Sequence, residues 1–312
     1  MPTGRRNLLK HVLPELLAVA MLFACRPATG EAVPERTRSL EEASKVFYPF
    51  TPTKLAMNPG EKLEYEARWM GFPAGTMTLE CRWTENVADH ESYNVRAKII
   101  FNKLASSFYS VDNDAVSIID KRDGASDQFV LKRNEGTIDY SEHVVYDYEK
   151  MLATYTRQAT NTPEEKHVVN VQLLDKVVDP LSFLYYLRGA ELVPFKDVYL
   201  LVNTSQRNWN MAVRTLKSTR ITVPRGTYNA LKIEPVASFP GLIERKGRMY
   251  LYVEEYSHVP LLIKTDIPIG SISFSLTKSE KSPLDDGTVT PIAEGGEIID
   301  DSKEAPTPAQ AK

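Results

Sequence analysis

Strict alternation of apolar and charged side chains runs through Leu63-Glu64-Tyr65-Glu66-Ala67-Arg68-Trp69. Successive side chains of a β-strand point to opposite faces, so one face of this stretch is buried and the other meets water. The pattern is interrupted by Gly71-Phe72-Pro73-Ala74-Gly75 and then resumes, with apolar positions at Met77, Leu79, Cys81 and Trp83. The sequence therefore predicts a β-hairpin within an antiparallel sheet.

The same period of two continues along the chain, and Gly, Asn, Asp and Pro separate most of the stretches. Further strands are predicted near 93–101, 110–120, 127–133, 137–148, 151–157, 168–173, 197–203, 208–216, 219–223, 227–235, 248–254, 260–266 and 270–277. A sheet of a dozen or more strands, each apolar on one face, is too large to stay flat. We therefore expect a mainly β fold in which a large antiparallel sheet curls into an incomplete barrel or clam.

One segment, Asp179-Pro180-Leu181-Ser182-Phe183-Leu184-Tyr185-Tyr186-Leu187-Arg188-Gly189, predicts a short central helix. Asp179 suits the N-cap, Pro180 suits the first helical position, and Gly189 suits a left-handed closing residue. A helix this apolar must pack against the sheet, and an incomplete plug would leave an apolar groove that binds a ligand. The candidate ligand-binding residues of that groove are Trp69, Leu184, Tyr185 and Arg188.

Arg188 lies at the polar end of this helix and has two interpretations. It forms an ion pair with a carboxylate inside the sheet, or it binds an anionic head group. The ion pair is favoured, because an unpaired buried charge costs several kcal/mol, on the order of 3–5.

The N-terminus has the organisation of an export signal over residues 1–25. A basic region containing Arg5 and Arg6 precedes an apolar run that is too short to span a bilayer. The arginine pair fits either a twin-arginine signal or a general secretory signal. The residues before Cys25 resemble a lipobox, which would make Cys25 the site of lipidation; cleavage a few residues later, for example after Gly30, is the alternative.

Composition divides the rest of the chain into three parts. Residues 26–59 are rich in Pro, Glu, Arg and Thr and are interpreted as a tether, and residues 60–279 form the antiparallel β domain. Residues 280–312 contain few large apolar groups and are expected to form a disordered acidic tail. The net charge of −3 provides no basic field for nucleic acid, so no nucleic-acid partner is expected.

The residue types that carry catalysis or bind metals do not form a known pattern. None of the five histidines belongs to a His-x-His or His-Glu-x-x-His motif, and no Walker loop, Gly-x-Gly-x-x-Gly motif or Gly-x-Ser-x-Gly elbow occurs. Asp112, Asp114, Asp120 and Asp123 lack the spacing of an EF-hand loop. Cys81 lies on an apolar face and is expected to be a buried, inert thiol. We expect no catalytic residue, no metal and no cofactor.

Several motifs together resemble the bacterial family of exported proteins known as domain of unknown function 3108. Its opening is similar to Gly60-Glu61-Lys62-Leu63-x-Tyr65-x-x-x-Trp69 and the following Pro73-Ala74-Gly75-Thr76. Its central helix is similar to Asp179–Arg188, a turn to Pro224-x-Gly226-x-Tyr228, and its end to the segment from His258 to Ser271. The resemblance covers roughly 60–278. It implies a secreted or periplasmic protein without an established activity, and an incomplete β-barrel around a helix similar to periplasmic carriers of lipoproteins.

Three functions remain open from the sequence. The first is a non-catalytic cell-envelope protein that binds an apolar or lipid-like ligand or an envelope partner, and contacts the membrane only through a lipid anchor. The second is a structural or assembly protein of the envelope. The third is an envelope hydrolase whose site is unrecognised, which would require His258, His143 or His167 beside two carboxylates.

Overall fold

The computed structural model of the chain describes residues 49–53, 55, 57–87, 89–161, 165–238, 249–266 and 270–285. Over these residues, fourteen strands form one antiparallel sheet, and two helices accompany it. The predicted export signal with Arg5, Arg6 and Cys25, most of the predicted tether, and the chain beyond 285 lie outside the described residues.

The strands follow the alternation in the sequence closely. Their bounds are β1 Lys62–Trp69, β2 Phe72–Val87, β3 His90–Phe101, β4 Asp112–Asp120, β5 Ser126–Glu135, β6 Ile138–Asp147, β7 Leu152–Ala159, β8 Lys166–Gln172, β9 Asp197–Thr204, β10 Arg207–Val223, β11 Gly226–Ser238, β12 Met249–Glu254, β13 Pro260–Asp266 and β14 Ser271–Glu280. The helices are α1 Lys103–Ser106 and α2 Pro180–Gly189. The prediction of two strands at 208–216 and 219–223 was wrong, because a shift in pairing between Thr215 and Lys217 bends β10 without ending it.

The sheet order is β8-β7-β6-β5-β4-β3-β2-β1-β14-β13-β12-β11-β10-β9. Consecutive strands pair with each other except β8 and β9, which form the two edges of the sheet, and β1 joins β14. Helix α2 lies between β8 and β9 in the sequence. The expectation of a large, incompletely closed antiparallel sheet with one short central helix is therefore confirmed. The tight pairing of β2 with β3 requires Gly75, because an added Cβ would lie 2.1 Å from the Ile100 carbonyl oxygen.

The two edges of the sheet approach each other through the segment that leads into α2. The Val178 amide donates to the Leu201 carbonyl of β9 (3.0 Å), and the Ser126 amide at the start of β5 donates to the Val177 carbonyl (3.0 Å). On the same side, the Tyr155 hydroxyl of β7 donates to the Asn203 side chain of β9 (2.6 Å). This segment therefore bridges β9 and β5, and the sheet curls around α2.

The ends of the β domain extend beyond the alternating strands. The described residues of 49–60, here called the N-terminal strap, contact α2 and the sheet: the Tyr186 hydroxyl donates to the Thr51 carbonyl (2.5 Å), and Leu55 and Met57 are buried. At the other terminus Leu284 is buried too. The last part of the predicted tether and the first part of the predicted tail thus pack on the domain, because isolated apolar side chains in them cover the helix and sheet.

Candidate functional site

The N-terminus of α2 is fixed by a fully buried carboxylate. Asp179 accepts hydrogen bonds from the amides of Leu181 (2.7 Å) and Ser182 (2.9 Å), as the sequence predicts for an N-cap. It also accepts from the hydroxyls of Ser117 on β4 and Ser126 on β5. Burial raises the pKa of Asp179 although these hydrogen bonds act in the opposite direction. The cap therefore attaches the helix to two strands.

The C-terminus of α2 is fixed by a buried ion pair. The Arg188 guanidinium binds Glu61 with two bonds, from Nη1 to Oε1 (2.5 Å) and from Nη2 to Oε2 (3.0 Å), and each side chain is 1% exposed. Burial works against the charged guanidinium, but Glu61 outweighs it and raises the pKa of Arg188. The favoured interpretation of Arg188 thus agrees with the structure, and its partner directly precedes β1.

The helix ends differently from the sequence-based expectation. Gly189 is the last helical residue, and the capping residue is Ala190 in an extended conformation, whose amide donates to the Leu187 carbonyl. The prediction of a left-handed Gly189 was wrong, because the chain leaves the helix directly in the extended conformation that leads towards β9.

Polar groups around the ion pair are held in unreactive states. The Tyr65 hydroxyl donates to the Pro260 carbonyl (2.9 Å), and the Tyr185 ring lies 5.8 Å from the Arg188 guanidinium carbon. Burial raises the pKa of Cys81 to about 12, so this thiol stays protonated at neutral pH, as expected for an inert cysteine. Burial also lowers the pKa of His258, although the nearby Leu187 and Arg188 backbone acts against the shift.

The structure brings together three of the four candidate ligand-binding residues. Leu184, Tyr185 and Arg188 are buried on α2, where Leu63, Leu79 and Pro260 complete a small void that leaves no room for a water molecule. Trp69 is half-buried at the far end of β1 from Glu61, roughly 26 Å away along an extended strand. The groove expected beside these helix residues is filled by side chains.

The opposite end of β1 carries exposed apolar side chains. Met70 (54% exposed) and Phe72 (75%) flank the β1–β2 turn, and Leu104 (72%) and Phe108 (74%) lie on and after α1. The two loops are attached to each other, since Asn102 donates through its backbone amide to Ala74 (2.8 Å) and through its side chain to Pro73 (3.0 Å). These four side chains are here called the rim patch.

The outer face of β3–β7 contains an open cleft of about 600 Å³ with a polar, charged lining. Lys98 pairs with Asp112 (2.6 Å), Arg96 pairs with Asp114, and the Arg157 guanidinium stacks 4.4 Å from the Tyr140 ring. Because charged and polar side chains line it, this cleft differs from the apolar groove that the sequence suggested.

One group of potential metal ligands occurs among the described residues. His90, Asp120 and Asp127 each offer a ligand atom, and these atoms lie within 4.8 Å of one another. Sequence reasoning missed this group because it compared histidines and acids along the chain only. The signal was present in the meander: His90 begins β3 at the β2–β3 turn, the two aspartates flank the next turn on the same side, β4–β5, and adjacent turns on one side of a meander are neighbours.

The sequence was compared with known protein families and structures. The family described as "Protein of unknown function (DUF3108)" matches residues 64–277. The chain belongs to the DUF3108 family. No curated protein matches the sequence. In this DUF3108 protein, no helix among the described residues is both long and apolar enough to cross a membrane.

Solved structures with similar folds share little sequence with this DUF3108 protein. A β-barrel-like protein of domain of unknown function DUF1849 from Brucella abortus is 12% identical, covers 75% of this chain and 98% of its own, and has a TM-score of 0.47. A protein from Bacteroides fragilis, described as exported and with a YmcC-like fold, is 8% identical with a TM-score of 0.34 over 74% of this chain and 100% of its own. A protein from Parabacteroides distasonis, described as a lipoprotein, is 11% identical with a TM-score of 0.33 over 74% and 99%.

Residues from three of the motifs on which the DUF3108 resemblance was based meet at the helix end of the sheet, whereas Trp69 and Pro73 of its opening lie at the other end. Glu61 from the opening motif binds Arg188 from the helix motif, and Tyr65 donates to Pro260 from the final motif. His258 of that final motif lies near the last turn of α2. These motif residues therefore assemble the helix end of the molecule, and none of them lies in the rim patch.

Proposed function

We propose that this DUF3108 protein is an exported, non-catalytic cell-envelope protein that binds a lipid surface through its rim patch. One observation carries the proposal: four large apolar side chains, 54–75% exposed, stand on two attached loops at one end of the sheet. Contiguous exposed apolar groups of this kind are typical of interaction sites in otherwise soluble domains.

Binding at the surface is favoured over binding inside the sheet by the packing around α2. Every residue of α2 from Pro180 to Arg188 is buried, and the void beside Leu184 and Tyr185 is smaller than a water molecule. A lipid chain would have to displace these side chains and separate the Arg188–Glu61 pair. The rim patch is available without any such rearrangement.

A lipid is favoured as the occupant by the charges beside the rim patch. Lys103 is exposed next to Leu104, and Arg68, which pairs with Glu66 (2.8 Å), donates to the Gly71 carbonyl in the β1–β2 turn (3.3 Å). Apolar side chains flanked by basic ones match the acyl region and the anionic head groups of a bilayer. Burying two Phe side chains even in part contributes about 1–3 kcal/mol to such binding.

Export and anchoring fit the same proposal. The signal over residues 1–25 directs the protein out of the cytoplasm, with Arg5 and Arg6 as the twin-arginine element and Cys25 as the lipidation site. An extended chain between Cys25 and Pro49 reaches about 80 Å. An anchored domain could therefore turn its rim patch toward the membrane.

The test compares vesicle binding of the chain from Arg26 onwards with that of Phe72→Ser/Phe108→Ser. This chain contains every described residue and lacks Cys25, so an anchor cannot contribute. We expect co-sedimentation with vesicles of phosphatidylglycerol and phosphatidylethanolamine, and a loss of affinity of about tenfold or more in the double variant.

Phe195→Ser is the matched control, because Phe195 is 89% exposed before β9, near the other end of the strands. It should bind vesicles like the parent, and the double variant should unfold in urea within about 0.5 kcal/mol of the parent. Equal vesicle affinity of the parent and the double variant would refute the proposal.

A second candidate, an assembly protein of the envelope, is favoured by the edge strand β8. Its residues are exposed almost throughout, including Val168 (59%) and Val169 (37%), and β7 is its only partner in the described sheet. Such an edge accepts a strand from another protein. A photo-crosslinker at Val168 should then capture one stoichiometric envelope protein, and Val169→Pro should abolish that product; a diffuse pattern of products would exclude this function.

A further inference from the structure

His90, Asp120 and Asp127 converge at the turns beside the helix end. The His90 Nε2 atom lies 3.1 Å from Asp127 Oδ2, 3.2 Å from Asp127 Oδ1 and 3.6 Å from Asp120 Oδ2. Both aspartates are buried, at 2% and 9% exposed, whereas His90 is half-buried and reachable from solvent.

These separations suit a tetrahedral metal site. Zinc binds histidine nitrogen and carboxylate oxygen at about 2.0–2.2 Å, so neighbouring ligand atoms of a tetrahedron lie about 3.3–3.6 Å apart. The imidazole-to-carboxylate separations are already close to that range. Three protein ligands would leave the fourth position to water or to another ligand.

Each of the three side chains is held by a further contact. The His90 Nδ1 atom lies 3.1 Å from Asp89 Oδ1. This contact favours the tautomer that is protonated at Nδ1, whose Nε2 lone pair faces the two aspartates. The Ser92 hydroxyl donates to Asp127 Oδ2 (2.6 Å). Asp120 accepts from the Arg122 amide (2.8 Å) and the Arg122 guanidinium (2.8–3.1 Å). Because Asp120 Oδ2 accepts from both Nε (3.0 Å) and Nη2 (2.8 Å) of Arg122, a cation bound there would displace part of the arginine contact.

The side-chain charges at the site are not balanced when His90 is neutral. Arg122, which is 57% exposed, balances the charge of Asp120. Among the described residues, the side chains that contact the Asp127 carboxylate are Ser92 and His90, so a neutral His90 would leave its buried charge uncompensated. Lys121 is engaged with Glu91 (2.9 Å). Burial raises the pKa of Asp127, so a proton on His90, a proton on Asp127 or a bound cation would each complete the site.

We propose that His90, Asp120 and Asp127 bind one divalent transition-metal ion, with Zn²⁺ as the best match. The nitrogen ligand and the presence of only two carboxylates select Zn²⁺ over Ca²⁺, which takes six to eight oxygen ligands. The site joins the β2–β3 turn to the β4–β5 turn. Because Asp127 follows Ser126, which binds the Asp179 cap, the metal would also stabilise the attachment of α2.

The experiment is a calorimetric titration of the chain from Arg26 onwards with Zn²⁺ after dialysis against EDTA. We expect one Zn²⁺ per chain, no binding of Ca²⁺ at the same concentrations, and a rise in the melting temperature with Zn²⁺. Asp127→Asn and His90→Gln should each lower the Zn²⁺ affinity by about tenfold or more.

His143→Gln is the matched control, since His143 is exposed on β6 and contacts Gln128 (3.1 Å); it should bind Zn²⁺ like the parent. Circular dichroism checks that both site variants fold. If His90→Gln does not fold, the near-isosteric Asp127→Asn variant provides the test on its own. Zn²⁺ binding weaker than about 1 mM, or equal binding by the parent and Asp127→Asn, would show that a proton on His90 or Asp127 completes the cluster, and would overturn the metal site.

Discussion

The two ends of the sheet differ in which side chains they bury and which they expose. At the helix end, charged and polar groups such as Glu61, Arg188 and Asp179 are buried and paired. At the rim, Phe72 and Phe108 are about three-quarters exposed and lie outside the hydrophobic core. The usual distribution of polar and apolar residues is thus inverted at both ends.

This difference separates stability from binding. Buried pairs at the helix end specify how α2 sits in the sheet, because each misplacement would leave a charge without its partner. Exposed aromatic groups at the rim contribute little to folding, so their presence there fits a role in contact with another surface. Substitutions at the helix end should therefore change stability, and substitutions at the rim should change binding.

The largest effect is expected from Glu61→Ala, which leaves the Arg188 charge buried without its partner. We expect a loss of about 3–5 kcal/mol in the free energy of unfolding, measured in urea. The double variant Glu61→Met/Arg188→Met should recover most of that loss, because it removes both charges and retains volume. A loss below about 1 kcal/mol for Glu61→Ala would mean that the helix end is not held by this pair.

A smaller effect is expected from Asp179→Ala, which removes the buried cap of α2 and the partner of two serine hydroxyls. The expected loss is about 2–3 kcal/mol in urea unfolding. Asn102→Ala is the matched variant at the rim, since Asn102 caps α1 by accepting from the Ala105 amide (2.9 Å) and is exposed. It should cost about 1 kcal/mol or less. Equal losses in the two variants would remove the contrast between the ends.

The smallest effect concerns pH and His258. Burial lowers the pKa of this histidine below its unfolded value of 6.5, so its contribution to stability is present above that pH and is lost as the pH falls towards the folded pKa. His258→Asn keeps a residue that tolerates the positive φ of 52°. Between pH 6.5 and 5.5 the parent should lose more stability than this variant, by less than about 1.4 kcal/mol.

Urea unfolding of both proteins at pH 7.5, 6.5 and 5.5 measures that difference. The rim patch contains no histidine, so Phe72→Ser/Phe108→Ser should retain the pH dependence of the parent's stability. If the stability of His258→Asn changes with pH in parallel with that of the parent, the His258 pKa does not account for the pH dependence.

The alternation of apolar and polar residues predicted most of the strands. It could not predict which residues far apart in the chain contact each other. Strand periodicity, the Asp179 cap and the buried state of Cys81 follow from local patterns, and the structure confirms them. The partner of Arg188 is 127 residues away in the chain, so the sequence indicated an ion pair without indicating Glu61. The continuity of β10 depends on a bulge at Leu216 that has no local signature.

The candidate sites were predicted less well than the fold. Leu184, Tyr185 and Arg188 were placed correctly on a central helix, but whether a groove remains beside them depends on the packing of side chains from β1, β2 and β13. Trp69 shares a strand with Leu63 and Tyr65 and still lies at the other end of the sheet. The rim patch and the His90 cluster arise where separate hairpin turns become neighbours.

The sequence alone determined the period of the strands and the place of the helix, because each depends on residues close together in the chain. The tertiary structure decided that the helix end is filled, which buried charges pair, and which apolar side chains remain in solvent. Those outcomes depend on the curl and register of fourteen strands, which bring together residues that have no local relation.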